Sequence, residues 1–236
     1  MDIESRPQWL IDHLKDREIP GSEIQCSDAW FASRVGKITG SGLYNITTEN
    51  ATKSTALPQR AIKYIKEKVK ECLTGVCHSI EDNDYMRWGR ETEPEARAFA
   101  EAYLGVEIYE TGALRMPWSD DVQVSPDGIG MDKEGRIFIF ETKSPSSDNH
   151  LGYMMENKPK VPGKYKAQVQ GEIEAAGAEY GIFLTYDPRM GAHSAMILKV
   201  EIDEAMRDRI KENSLKALER IEQGAANVRK NSCTLF

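Results

Sequence analysis

The spacing of apolar and polar residues divides the chain into helical and extended stretches. In VQVSPDGIGMDKEGRIFIFETK, from Val122 to Lys143, apolar and β-branched runs flank the turn formers Asp132-Lys133-Glu134-Gly135, which predicts an antiparallel hairpin. On its second strand a period of two sends Ile137, Ile139, Glu141 and Lys143 to one face and Phe138, Phe140 and Thr142 to the other. Elsewhere the spacing is helical. Trp9, Leu10, Ile11 and Leu14 mark a packing helix within 5–18. Ile62, Ile65 and Val69 mark an amphipathic helix over 53–70, whose basic face carries Lys53, Arg60, Lys63, Lys66, Lys68 and Lys70. Over 85–104 a third helix places Glu93, Ala96, Ala100 and Tyr103 on its inward stripe, with Pro94 in the first turn or at a kink. Beyond the hairpin, 144–163 reads as a polar surface loop and 164–177 as a helix packed through Tyr165, Val169, Ile173 and Ala176, closed by Gly177. Strands are expected at 181–186 and 194–202. A last amphipathic helix at about 203–223 turns Met206, Ile210, Leu218 and Ile221 inward, and the tail from Gly224 is expected to fray. This order predicts an α/β fold, a mixed β-sheet flanked by helices.

With 236 residues, 40% of them hydrophobic, the chain can bury one substantial core. A single domain over 1–236 is expected, centred on about 29–203. No apolar run approaches the roughly 20 residues that span a bilayer. Met1-Asp2-Ile3-Glu4 lacks signal-peptide character, so a cytoplasmic protein is expected. Cys26, Cys72, Cys77 and Cys233 form no CxxC pair, which points away from a zinc site or disulfide framework and leaves Cys77-His78 incidental. A net charge of −7 argues against a protein that coats nucleic acid over its whole surface. It does not exclude an enzyme whose acids hold metal while a local basic track meets phosphates.

The chemistry concentrates at the end of the hairpin. Glu141 and Lys143 share a face of an otherwise apolar strand, and the hairpin brings Asp127, between Pro126 and Gly128, towards Glu141. Two adjacent carboxylates repel, and a divalent cation with hard oxygen ligands relieves them. The bland alternative is a surface ion pair of Glu141 and Lys143 that contributes little. In SDAWFASRVGKITGSGL (27–43), Arg34, Lys37, Thr39 and Ser41 fit an anion grip, but the segment taken alone favours the plainer reading in which Thr39 or Ser41 caps a helix and Arg34 is solvated. Glu93 is either stabilised by a helix start or a third acid beside the other two. Gln168, at the edge of its helix's buried stripe, fits a water-binding or a backbone-satisfying amide.

Pro126-Asp127 followed by Glu141-x-Lys143 is the pattern of the PD-(D/E)xK nucleases. AWFASRVGKITGS (29–41), WGRETEPEAR (88–97), SPDG (125–128), ETKSP (141–145), YKAQVQ (165–170) and YDPRM (186–190) occur in the family's order, and the chain resembles the phage lambda-type exonucleases, the YqaJ-like viral recombinases. The resemblance implies the restriction-endonuclease-like fold and a Mg²⁺-dependent 5′-to-3′ exonuclease, encoded by a phage or prophage. Such an enzyme resects duplex DNA from 5′-phosphorylated ends and leaves 3′ overhangs for recombination. It implies Asp127, Glu141, the main-chain carbonyl of Thr142 and Glu93 around two Mg²⁺ ions, with Mn²⁺ as the other candidate. In two-metal sites such ions lie about 3.5–4 Å apart. Lys143 would hold or activate the attacking water, Gln168 matches the crossover-helix glutamine, and Arg34, Ser41, Ser125 and Thr39 match the grip on the 5′-phosphate. A homotrimeric ring and a single-strand annealing protein are the implied partners. Thr142 departs from the apolar residue usual between acid and lysine. The competing expectations are a structure- or site-specific endonuclease of the same fold and a non-catalytic scaffold that binds DNA ends.

Overall fold

The predicted hairpin sits at the centre of the molecule. A computed structural model describes residues 6–47, 57–77 and 83–232; Met1 to Glu4, Lys53, His78 and Cys233, named above, lie outside them. The main sheet has the order β2-β5-β6-β7-β8, with β2 at Ile108–Tyr109, β5 at Gly128–Met131, β6 at Ile137–Lys143, β7 at Tyr180–Tyr186 and β8 at Ala195–Val200. Only β6 and β7 run parallel in this sheet. The parallel pair needs a crossover, and α6 (Ser147–Met154) and α7 (Gly163–Ala176) supply it. A smaller sheet has the order β1-β4-β3, from Ile38–Thr39, Ser119–Val124 and Leu114–Met116.

Alternation along β6 builds two cores. Ile139, with Ile129 and Phe183, joins the cluster on the α7 side, while Phe138 and Phe140 join Ala96 and Ala100 of α5 (Asp84–Leu104) on the other. Helix α7 is buried on nearly every side, because it lies between the strands and the layer formed by α3 (Gly40–Ile46) and α8 (Glu204–Ser232). Helix α1 (Gln8–Leu14) places Leu10 and Leu14 in the same core as α7. Helices α2 (Asp28–Ser33) and α4 (Gln59–Thr74) complete the set.

The sequence reading needs correction in five places. The first hairpin strand is split into β4 and β5, which belong to different sheets; Pro126, with no N–H to give a ladder, lies in the break. The stretch 144–163 contains helix α6, capped by Ser146, whose one buried residue is the polar His150, so no apolar stripe announced it. On α4, Ile62 is 51% exposed and Lys68 is buried against Glu71, so Tyr64 rather than Ile62 faces inward. On α5, Tyr103 is 66% exposed, and Pro94 lies inside the helix, not in its first turn. The last helix continues past Gln223 to Ser232, because Ala225 extends its buried stripe and Gly224 allows Val69 of α4 to approach closely.

Gly42 shows how tightly α3 meets α4. A Cβ there would come within 2.1 Å of the Tyr64 hydroxyl, which accepts a hydrogen bond from the Thr39 N–H at 3.1 Å. Gly42→Ala is expected to destabilise the protein by about 1–3 kcal/mol through overpacking. Gly152→Ala, where a Cβ meets only open space on α6, is expected to be neutral or stabilising by up to about 1 kcal/mol. Urea midpoints of the two variants provide the check.

Candidate active site at the end of the central strand

Strand β6 outruns β5. The β5/β6 ladder ends at the pair Gly128 and Phe140, whereas Glu141, Thr142 and Lys143 continue against Phe183, Leu184 and Thr185 of β7. The antiparallel offset places Asp127 opposite Glu141. With no β5 residue to meet it, the Thr142 N–H donates instead to Oδ2 of Asp127 at 2.8 Å. The bend that breaks the strand thus delivers an acid to the strand's open edge.

Glu141 is fully buried and points to the α7 face. Its Oε1 accepts from the Lys143 ammonium and from the amide nitrogen of Gln168. Its Oε2 is buried with no hydrogen-bond partner among the described residues. Gln168 also donates to Oε1 of Glu172 at 2.9 Å, and Glu172 is fully buried too. Sequence reading missed Glu172, although it stands one helical turn beyond Gln168 and so shares its face.

Three carboxylates and one ammonium cannot all ionise cheaply in a buried site. Burial first, then the charge of Asp127, pushes Glu141 up to about 8 despite Lys143. Burial and then Glu141 raise Glu172 well above the ordinary carboxylate range. Burial opposes the Lys143 cation most strongly of any single influence, but Glu141, Asp127 and Glu172 outweigh it and hold its pKa above the usual lysine value. Hard oxygens, mutual repulsion and an orphaned buried Oε2 are what a divalent cation would relieve, so the residues fit such an ion. Among the described residues no group of three or more His, Cys, Asp or Glu is arranged to hold a metal. Asp127 and Glu141 are the carboxylates the geometry brings together at the end of β6.

Glu93 is not gathered into that pair. It lies within α5 and accepts from Arg97 at 2.9 Å, while Arg97 also pairs with Glu110. Burial and then Asp127 push Glu93 up to about 7, so it stands near enough to sense the site.

Arg34 and Ser125 are linked through Trp30, a residue the sequence reading did not single out although it stands one helical turn before Arg34. The Arg34 guanidinium lies 3.9 Å from the Trp30 ring centre, and the indole N–H donates to the Ser125 hydroxyl at 3.1 Å. Arg34 makes no ion pair among the described residues, and burial lowers its pKa against the opposing pull of Cys77, Tyr64, Cys26 and Glu71. It is not a solvated surface residue. Thr39 is buried at the start of α3 without a side-chain cap, and Ser41 is exposed in that helix's first turn. Parallel pairing of Thr39 with Gln123 ends β1 and β4 on the same side, near Ser41 and Ser125. Lys37 is engaged by Asp121.

The mixed sheet, its helical cover and the acids and lysine at the end of β6 define an α/β protein of the PD-(D/E)xK type. A family model for the YqaJ-like viral recombinase domain matches residues 29–179. The chain belongs to the YqaJ-like viral recombinase family. It is similar to an alkaline exonuclease (LHK-Exo) from Laribacter hongkongensis at 26% identity, covering 89% of this chain and 100% of that one with a TM-score of 0.75. The structure of LHK-Exo in complex with dAMP matches over the same shares with a TM-score of 0.76. A phage related exonuclease from Haemophilus somnus 129PT, 18% identical, shares the fold over 81% of this chain and 96% of its own, with a TM-score of 0.67. No curated protein sequence gives a significant match. Family and neighbours support a DNA exonuclease linked to recombination, of a kind that generally uses a divalent metal. Among the described residues no helix is long and apolar enough to cross a membrane.

The charge balance makes a prediction that needs no substrate. The folded value of Glu141 lies above the ordinary 4.5, so the folded state holds the extra proton between these values. Stability of the metal-free protein is therefore expected to fall as pH rises from about 5 to about 8. Mg²⁺ at one fixed concentration, about a hundred times its Kd at pH 8, is expected to add about 2.7 kcal/mol there and less at pH 6, where protons compete for the acids. In Glu141→Gln that Mg²⁺ increment should vanish. An undiminished increment in thermal melts would place the ion elsewhere.

Proposed function

We propose that the chain is a metal-dependent 5′-to-3′ exonuclease that removes nucleotides from one strand of duplex DNA at 5′-phosphorylated ends, leaving 3′ overhangs for recombination. The observation that carries this reading is the convergence of Asp127, Glu141 and Lys143 at the open end of β6, with Gln168 behind them. Asp127, Glu141 and the Thr142 carbonyl would hold the metal, Mg²⁺ or Mn²⁺ and two ions in the fullest form, with Glu93 at the rim. A divalent ion bound there supplies a more acidic water and neutralises charge on the phosphate.

The chain's own residues do the rest. Lys143 is a cation in this setting, so it orients a water and offsets negative charge in the transition state, while proton abstraction falls to another group. Glu93, with a pKa near neutrality, has the protonation range of a general acid or base. Arg34 has no carboxylate partner among the described residues and is held against Trp30, so it suits a terminal phosphate dianion, with Ser125, Ser41 and Thr39 as hydroxyl donors. Ser125 is two residues from Asp127, so an end gripped there would set the neighbouring phosphodiester near the acids. The related exonuclease described with dAMP agrees with mononucleotide release. A homotrimeric ring, an annealing partner and a place in the bacterial cytoplasm belong to the same reading. A solution mass three times that of the chain would support the ring.

Asp127→Ala and Lys143→Ala are each expected to lower Mg²⁺-dependent degradation of linear duplex by about 10²–10³-fold or more. Full activity in either variant would reject the assignment. Covalently closed circles should survive the wild-type protein; their cleavage would make it an endonuclease of the same fold, and intact linear DNA a binding scaffold. Arg34→Ala, or removal of the 5′-phosphate, should slow initiation more than later steps. Equal initiation on phosphate and hydroxyl ends would contradict the pocket.

A further inference from the structure

We infer that Glu172 is a positioning residue that acts through Gln168, fixing which end of the Gln168 amide faces the acids. Its catalytic consequence rests on the nuclease reading; its geometry does not. A primary amide carries two N–H donors on nitrogen and two lone pairs on oxygen, and its two ends are nearly alike in shape. Hydrogen-bond partners alone therefore decide its orientation. Here the Gln168 nitrogen faces Oε1 of Glu141 and, at 2.9 Å, Oε1 of Glu172. Both N–H groups are thereby committed to carboxylate oxygens, and the amide oxygen is turned away from them with no partner among the described residues.

Glu141 by itself would be a weak anchor, because the same Oε1 also receives the Lys143 ammonium. Glu172 supplies the second anchor from the helix that carries Gln168, and two acceptors oppose rotation of the amide. The cost of the arrangement points the same way. Glu172 is fully buried beside the Glu141 carboxyl, its Oε2 meets no hydrogen-bond donor among the described residues, and Ala176, one turn further along α7, is buried in the apolar core. Burying a carboxylate with so few partners is expensive, and packing alone would be served better by an apolar side chain. The benefit is an amide oxygen held outward as an acceptor for a water or a substrate hydroxyl. With the amide reversed, that acceptor would be lost and oxygen would face oxygen at Glu141.

The test reads the amide itself first. In metal-free protein the Gln168 side-chain NH₂ pair, assigned by its disappearance in Gln168→Ala, should show both protons shifted downfield and protected from exchange. Glu172→Met should return one of them to the range of a solvent-exposed amide, and Glu172→Gln, which keeps an acceptor, should largely restore it. On linear duplex DNA, Glu172→Met should lower kcat by about tenfold, the scale of lost outer-shell support, with KM for DNA ends little changed. Added to Gln168→Ala, it should cause no further loss. An unprotected pair in the wild-type protein, an unchanged pair in Glu172→Met, or losses that multiply in the double variant would each overturn the proposal. Wild-type protein that fails to degrade DNA would overturn the nuclease reading instead, and the amide signals would still decide this one.

Discussion

Strand β6 reaches three residues past the point where β5 stops pairing with it, and the hydrogen bond from the Thr142 N–H to Asp127 closes that open edge. In an uninterrupted sheet a backbone carbonyl would take that place. Because a side-chain carboxylate takes it, the ladder is satisfied and an acid is anchored beside Glu141 at once. The break that frees Asp127 is the one that sends β4 into the smaller sheet, at Ser125-Pro126. The same two residues therefore border the acids on one side and the Trp30–Arg34 stack on the other.

Electrostatics then sets the behaviour of the site. Burial and like charge favour protons on Glu141 and Glu172, while Lys143 stays charged. Such a cluster works against folding stability in the absence of a cation, and under the proposed reading a divalent ion would offset its repulsion. Arg34 is the complementary case: a cation held half-buried against an aromatic face, with no ion pair among the described residues. Ser125, which meets the Trp30–Arg34 stack, and Asp127, which meets β6, are two residues apart, so one short stretch of chain borders both groups.

Much of this was legible in the sequence, and the exceptions have physical causes. Period-two alternation gave β6 its two faces, and regular apolar spacing gave α7, β7 and β8 nearly their full extent. Glu141, Lys143 and Gln168 could be placed because each sits at a fixed step on a strongly periodic element. The smaller sheet was not legible, since β1 and β3 are too short to show a period. Helix α6 was hidden by its polar burial at His150, and the end of α8 by a stripe that passes to small residues such as Ala225. Glu172 was missed because a charged residue on a helix is ordinarily assigned to solvent, and only tertiary packing shows that α7 has almost no solvent face. Trp30 was not singled out, because its contact with Arg34 shows in the sequence only as a four-residue interval.

The central claim is that a divalent cation is held between Asp127 and Glu141. The most direct measurement is anomalous X-ray scattering from crystals of the chain soaked with Mn²⁺, in wild type and in Asp127→Asn. The account predicts a strong peak within coordination distance of both carboxylates and the Thr142 carbonyl, weakened or absent in the variant. A crystal of active protein with no peak there, or with its peak at other residues, would contradict it.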